Sequence, residues 1–290
     1  GASATIASSL VASCDILNED GATLTVDGKL FYDAGNSPSS PNIMYDSQLP
    51  YSNFDNWFKG ISDADVIGES RSSNNVWDTG NGNESNVGTA MTGHNPTTPE
   101  TTTVVAGKAC KMFSVYINYL GGFVKKFAAG NVYLGELTGI SGLSGAKMTF
   151  GIPSEGRLPV AVMGYYNYQP GTIDYIDNEK KTGGTDSMDL YIALATKQYS
   201  VDTTDDTTYP GGSASDLAGD ENIVAYGRLS SSETTDGYSP FYIELTYKDN
   251  NFIPSGDLYL LITATSSKGG AQFTGSTKSV LYLDELSLEF

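Results

Sequence analysis

The chain has 290 residues, 39% of them hydrophobic and 11% aromatic, with 33 glycines and 19 tyrosines, which supplies a core for one large all-β unit and excludes disorder. Sixteen Lys and Arg against 34 Asp and Glu give a formal charge of −18, a field that repels phosphate backbones and anionic lipid. Nucleic acid and a membrane surface are therefore not the expected partners; a neutral ligand such as a sugar, or a divalent cation, suits the charge better.

Along the chain, residues 10–14 (Leu-Val-Ala-Ser-Cys) look like a lipoprotein cleavage box, but no basic stretch precedes them and Ser8 and Ser9 interrupt the apolar run, so an opening strand is expected. Gly1 in place of Met indicates that a natural start, with a signal peptide, was removed, and predicts an exported protein of the cell surface or periplasm. No run approaches the ~18 apolar residues of a membrane span, so no membrane-spanning segment is expected. Residues 24–32 read as a further strand, and 33–50 are rich in Pro, Ser and Asn. The piece ahead of that stretch is too short to hold a core alone. The expectation is one sandwich domain over 1–290, with 1–49 supplying its opening strands. Cys14 and Cys110 show no metal spacing, and whether they pair stays open.

From residue 112 onward the signal is period-2 alternation bounded by Gly, Pro, Asn, Asp and Ser. Residues 112–119 read as one strand, with Phe113, Val115, Ile117 and Tyr119 on one face and Met112, Ser114, Tyr116 and Asn118 on the other. Strands follow at 132–137, 147–150 and 160–168. Met188, Leu190, Ile192 and Leu194 then alternate with Asp189 and Tyr191. The acidic stretch 201–222 reads as a solvated loop, with a loop cation site as the other reading. After a strand at 223–229, Phe241, Ile243 and Leu245 oppose Tyr242, Glu244 and Thr246, and Leu258, Leu260 and Ile262 oppose Tyr259 and Thr263. In the closing strand the apolar parity changes from Leu281 and Leu283 to Leu286, Leu288 and Phe290. Such a slip across Asp284 and Glu285 marks a bulge, where an aspartate either turns inward to a cation or backbone donor or sits on an irregular edge. Ten or more strands without helices make a two-layer sandwich or barrel. No internal repeat is evident.

Little catalytic chemistry is legible. His94, the one histidine, stands in a Gly-His-Asn-Pro loop, no G-x-S-x-G occurs, a His/Cys zinc set lacks ligands, and there is no phosphate-binding loop. Asp174, Asp177, Asp189 and Glu244 keep a glycosidase carboxylate pair open. Sugar sites join aromatic platforms to amide and carboxylate hydrogen-bonders. Outward strand faces offer Tyr165 with Asn167, Asp189 with Tyr191, and Tyr242 with Glu244, although tyrosine favours strands for packing reasons alone. Trp77 lies in a polar loop, as a sugar platform or as a plug over the core edge.

Six elements occur in order: Phe54-Asp55-Asn56-Trp57, Val76-Trp77-Asp78-Thr79-Gly80-Asn81, Ala128-Ala129-Gly130-Asn131-Val132-Tyr133-Leu134-Gly135, Gly164-Tyr165-Tyr166-Asn167-Tyr168-Gln169-Pro170-Gly171, Ser266-Ser267-Lys268-Gly269-Gly270 and Leu281-Tyr282-Leu283-Asp284-Glu285-Leu286. Together, from about residue 50 to the end, the chain resembles the putative carbohydrate metabolism domain of exported proteins of gut-type Gram-negative bacteria. The resemblance implies an antiparallel jelly-roll β-sandwich similar to carbohydrate-binding modules and lectins, with a role in glycan use. The reading is noncatalytic carbohydrate binding through Trp77, Arg157, Tyr165, Asn167, Asp189 and Tyr191. Alternatives are a glycoside hydrolase or lyase with paired carboxylates, and a structural or adhesive surface protein. Family members carry Arg-Pro before the Tyr-Tyr strand; here Gly156-Arg157-Leu158-Pro159 is one residue longer. Carbohydrate-binding jelly rolls often hold a structural calcium between first and last strands, and Asp55 and Asp284 look like its two acidic ligands.

Overall fold

The computed structural model describes residues 49–82, 88–142, 145–249, 251–254 and 256–290, and the backbone of four short strands ahead of them. Two antiparallel sheets stack as a jelly-roll sandwich. The larger runs Tyr199–Asp202, Gly145–Phe150, Asn131–Ser141, Tyr259–Thr265, Met188–Ala195, Ile223–Ser231 and Thr246–Tyr247, with Trp77–Thr79 and Ile152–Pro153 added beside it. The smaller runs Ser239–Glu244, Ala161–Gln169, Val280–Glu289, Ala109–Phe113 and Thr97–Glu100. Among the described residues no helix is long and apolar enough to cross a membrane.

Alternation explains one layer of the core. Met188, Leu190, Ile192 and Leu194 meet Val162, Tyr168, Phe241, Ile243, Leu281 and Leu283 of the small sheet. Each such large side chain contributes about 1.5–3 kcal/mol through its removal from water. The opposite face of the same strand is also covered. Tyr191, Ala193 and Ala195 pack with Tyr133, Phe150, Tyr199, Leu217 and Leu261 in a second apolar cluster, so all eight residues of Met188–Ala195 are buried. The acidic 201–222 stretch supplies part of that cover through Tyr209 and the buried Leu217. It is a roof over the sheet, not a solvated loop. Its aspartates hold its turns: Asp205 accepts from Thr207 N, and Asp220 from Gly211 N and Asn222 N.

The parity slip of the last strand is present. Register with Ala161–Gln169 shifts between Met163 and Tyr165, and Glu285 takes a left-handed φ of 51°. Asp284 is fully buried there and accepts the N–H groups of Val105 at 2.6 Å and Ala106 at 3.3 Å. The expected strand 112–119 is in fact two. Ala109–Phe113 belongs to the small sheet, and Val115–Tyr119 forms a hairpin with Val124–Ala128. Cys110 and Met112, not Phe113, are the residues that enter the core. The break falls at buried Ser114, whose hydroxyl lies 3.0 and 2.8 Å from those of Ser266 and Ser267. Asp186 completes this polar cluster, accepting from Ser267, Ser276 and Ser279. Satisfying these groups requires the chain to leave the sheet at that point.

The N-terminal strands pair in parallel, Ser3–Ile6 with Thr23–Val26 and Leu10–Ala12 with Leu30–Tyr32. Both registers share one offset, Ser3 opposite Thr23 and Leu10 opposite Leu30. The sequence repeats with it, Gly-Ala-Ser-Ala-Thr-Ile at 1–6 and Gly-Ala-Thr-Leu-Thr-Val at 21–26, a repeat that the sequence reading missed. Cys110 is a buried free thiol; Cys14 lies outside the described residues.

At Gly130 three segments meet so closely that a Cβ would stand 2.5 Å from Phe113 N and from Pro96 O. Gly139, on the same strand, has nothing within 4 Å. Thermal melting of Gly130→Ala is expected to show a loss of about 2–3 kcal/mol or failure to fold, with Gly139→Ala close to the parent. Equal melting of the two variants would refute this packing account.

Candidate functional site

Because the large sheet's outer face is covered only in part, it carries a pocket of about 240 Å³. Antiparallel register places its floor. Tyr133, Thr263, Tyr191 and Arg228 are direct neighbours across four strands, and Asn131, Thr265, Asp189 and Ser230 form the adjoining row. Opposed residues of antiparallel strands project to one face, so these two rows share a surface. Phe150 extends the aromatic floor, 4.6 Å from Tyr133 and 6.0 Å from Tyr209 between ring centroids. The walls come from the roof stretch (Tyr209, Ser215), the 115–128 hairpin (Tyr119, Lys126) and the turn Lys268–Gln272.

Arg228 is the fixed point of the polar side. Its Nε and Nη2 donate to the two oxygens of Asp189 at 2.8 and 2.7 Å, and Nη1 donates to Ser215 O at 2.9 Å. Ser230 donates to Asp189 as well. The guanidinium lies 5.9 Å from the Tyr191 ring centroid. The bidentate pair raises the Arg228 pKa and, with 7% of the Asp189 side chain exposed, fixes the guanidinium on the sheet, from where its bonds to Ser215 tie down the roof. Burial pushes the Tyr191 phenol up to about 12, and raises Tyr133 and Tyr209 too. All three therefore stay protonated at neutral pH. Tyr133 is 1% exposed and its hydroxyl, in a pocket-lining side chain, has no hydrogen-bond partner among the described residues. A buried hydroxyl left unpaired costs about 1–3 kcal/mol.

A family described as "Putative carbohydrate metabolism domain" matches residues 53–289. The chain belongs to that family. Its pocket, floor strands and roof all fall within the family's span. Two solved structures share the fold. One, described as a putative glycoside hydrolase from Bacteroides thetaiotaomicron VPI-5482, is 21% identical with a TM-score of 0.62, covering 92% of this chain and 73% of that one. The other, described in the same words from Bacteroides vulgatus ATCC 8482, is 20% identical with a TM-score of 0.59, covering 82% and 96%. No curated protein matches.

Of the six residues expected to bind a ligand, the structure brings together Asp189 and Tyr191. Trp77 is 1% exposed and inside the core, its ring centroid 5.5 Å from that of Phe54 and its indole N–H donated to Pro50 O at 2.9 Å. It is the plug, so the platform reading is corrected. The rest of its motif is also structural. Asp78 accepts from Leu137 N and Thr79 N, while Asn81 donates to Asp65 O and Thr97 O. Tyr165 and Asn167 lie on the small sheet, Tyr165 38% exposed and Asn167 buried with its Oδ1 accepting from Thr235 and Gln169. Arg157 lines a separate polar groove and pairs with Glu155 at 3.5 Å. Sequence reasoning missed Tyr133, Arg228 and Tyr209; the strand partners of Asp189 and Tyr191 were the signal, and they become visible only with the register.

Asp55 and Asp284 do converge on one loop. Asp55 accepts from Lys108 N at 2.7 Å and from Asn53 Nδ2 at 2.8 Å, while Asp284 takes Val105 N and Ala106 N. Asp284 Oδ1 is buried without a hydrogen-bond partner among the described residues. Burial raises the Asp284 pKa, and the nearby charge of Asp55 adds to the rise. Among the described residues no three His, Cys, Asp or Glu stand around a common metal position.

Proposed function

We propose that the domain binds carbohydrate noncatalytically in the pocket on the outer face of its large sheet. The observation that carries this reading is Tyr133. Its buried, unpartnered hydroxyl belongs to a floor of aromatic rings, the combination that receives a sugar's apolar C–H face and one of its hydroxyls. Membership of a carbohydrate-related family and a fold shared with two structures described as putative glycoside hydrolases support the substrate class. Asp189 supports binding over hydrolysis: of Asp174, Asp177, Asp189 and Glu244 it alone lines this pocket, and Arg228 and Ser230 hold both of its oxygens, which fits a positioning role. Binding on a glycan array without release of reducing sugar from the same glycans fits the reading; release would favour the hydrolase alternative. Tyr133→Phe is expected to lose about tenfold in glycan affinity, equivalent to about 1.4 kcal/mol, while melting no lower than the parent. Unchanged affinity would remove Tyr133 from the site.

A structural calcium at Asp55 and Asp284 is part of the same proposal. The unpartnered Asp284 Oδ1 and the repulsion between the two carboxylates support it. Calcium takes six to eight oxygens, so backbone carbonyls would supply the remainder. Adding calcium to chelated protein should raise the melting temperature, and Asp284→Asn should abolish the rise. No rise in the parent would mean that the loop amides alone satisfy these carboxylates.

A further inference from the structure

The pocket wall that faces the roof is fastened from outside the pocket. Val124–Ala128 pairs with Val115–Tyr119 and, among the described residues, with no other strand, so the hairpin belongs to neither of the two stacked sheets. A two-stranded hairpin is marginally stable by itself, yet this one sets Tyr119 and Phe127 along the pocket. The turn Lys268–Gln272 beside it ends at Phe273, another lining residue, with a left-handed φ of 52°. Two small elements must therefore be held at one distance from the floor.

A second hairpin does this. Tyr175–Ile176 pairs with Glu179–Lys180 across a two-residue turn, Asp177 and Asn178, with φ of 51° and 66°. Left-handed backbone at both positions suits the twist of paired strands, and asparagine is among the few side chains that tolerate it. From that turn the Asn178 side chain meets the outer edge of Val124–Ala128 as a strand would. Its Oδ1 accepts from Phe127 N at 2.7 Å, and its Nδ2 donates to Lys125 O at 2.7 Å. Its backbone N–H donates to Phe273 O at 3.0 Å. One residue thus joins the 115–128 hairpin to the 268–272 turn. The joint is itself anchored. Tyr175 and Gly275 exchange backbone bonds at 3.1 and 3.0 Å, Asp177 N donates to Thr274 Oγ1 at 3.0 Å, and Asp174 accepts from Thr277 N at 2.9 Å. The Tyr175 ring stacks on Tyr116 with centroids 4.3 Å apart. Asn178 is not among the residues that line the pocket.

Resting on the binding reading above, we propose that Asn178 is a positioning residue of the carbohydrate pocket: its amide fixes the hairpin against the turn, so that the wall stands in place before a glycan arrives. Affinity scales with the fraction of molecules whose site is in its binding-competent form. Without the clamp the hairpin moves away from the turn part of the time, and a wall in place about a tenth of the time lowers affinity about tenfold. Ligand, by mass action, draws the wall back.

The test pairs calorimetric glycan titration with hydrogen exchange read by mass spectrometry. Asn178→Gly removes the amide while glycine keeps the left-handed turn and the backbone bond to Phe273. It should bind about tenfold more weakly than the parent and exchange faster over 124–128, with saturating glycan restoring the protection and the melting temperature close to that of the parent. Asn178→Asp keeps the acceptor for Phe127 N and loses the donor to Lys125 O, so it should fall between the two, and it carries the test if the glycine variant melts early. Parent-like affinity in both variants, or faster exchange that glycan does not reverse, would overturn the positioning role. Unchanged exchange would overturn the clamp itself. Tyr133→Phe separates the two readings. If it weakens binding and the Asn178 variants do not, only the present inference fails; if it binds like the parent, the pocket reading fails and this inference with it.

Discussion

A strand buried on both faces governs this molecule. Met188–Ala195 sits near the middle of the large sheet, with one face against the small sheet and the other under loops. An antiparallel sheet ordinarily leaves one face to water. Here Tyr191, Ala193 and Ala195 stand on that second face, and leaving their apolar surface uncovered would cost several kcal/mol. Cover comes from the 201–222 roof on one side and the 115–128 hairpin with the 268–272 turn on the other. The gap between those covers is the pocket.

Function follows from how the roof is fastened. A loop rich in aspartate has little apolar surface with which to stay in place, so its carboxylates serve as caps for its own turns and Arg228 links Ser215 to Asp189. Fastening the roof with polar groups leaves the aromatic rings beneath it for a ligand. The same division of labour holds in the segment 76–81. Trp77, Asp78 and Asn81 are fixed by packing and backbone hydrogen bonds, and none of the three presents a side chain to solvent.

Much of the fold was legible in the sequence because alternation is a local property. The strands at 188–194 and 258–263 could be read from parity alone, and the slip across Asp284 and Glu285 could be placed, whereas the alternation at 241–246 runs on past Leu245, where the chain passes from the small sheet to the large one. The strand broken at Ser114 could not, since the break answers to Ser266 and Ser267, about 150 positions away in sequence. The site was half legible. Asp189 and Tyr191 carry the aromatic-plus-polar pattern within one strand, whereas Tyr133 and Arg228 join them only through register. Trp77 misled because a polar neighbourhood in sequence was taken for a polar neighbourhood in space; its neighbours Asp78 and Asn81 are themselves buried.

The central claim is that ligand meets the outer face of the large sheet. Backbone amide shifts in a magnetic resonance titration with a bound glycan test it most directly. The largest changes should fall on Tyr133, Tyr191, Arg228 and Thr263, with Tyr165 and Asn167 of the small sheet unmoved. Changes concentrated at Tyr165 and Asn167, or along the Arg157 groove, would contradict it.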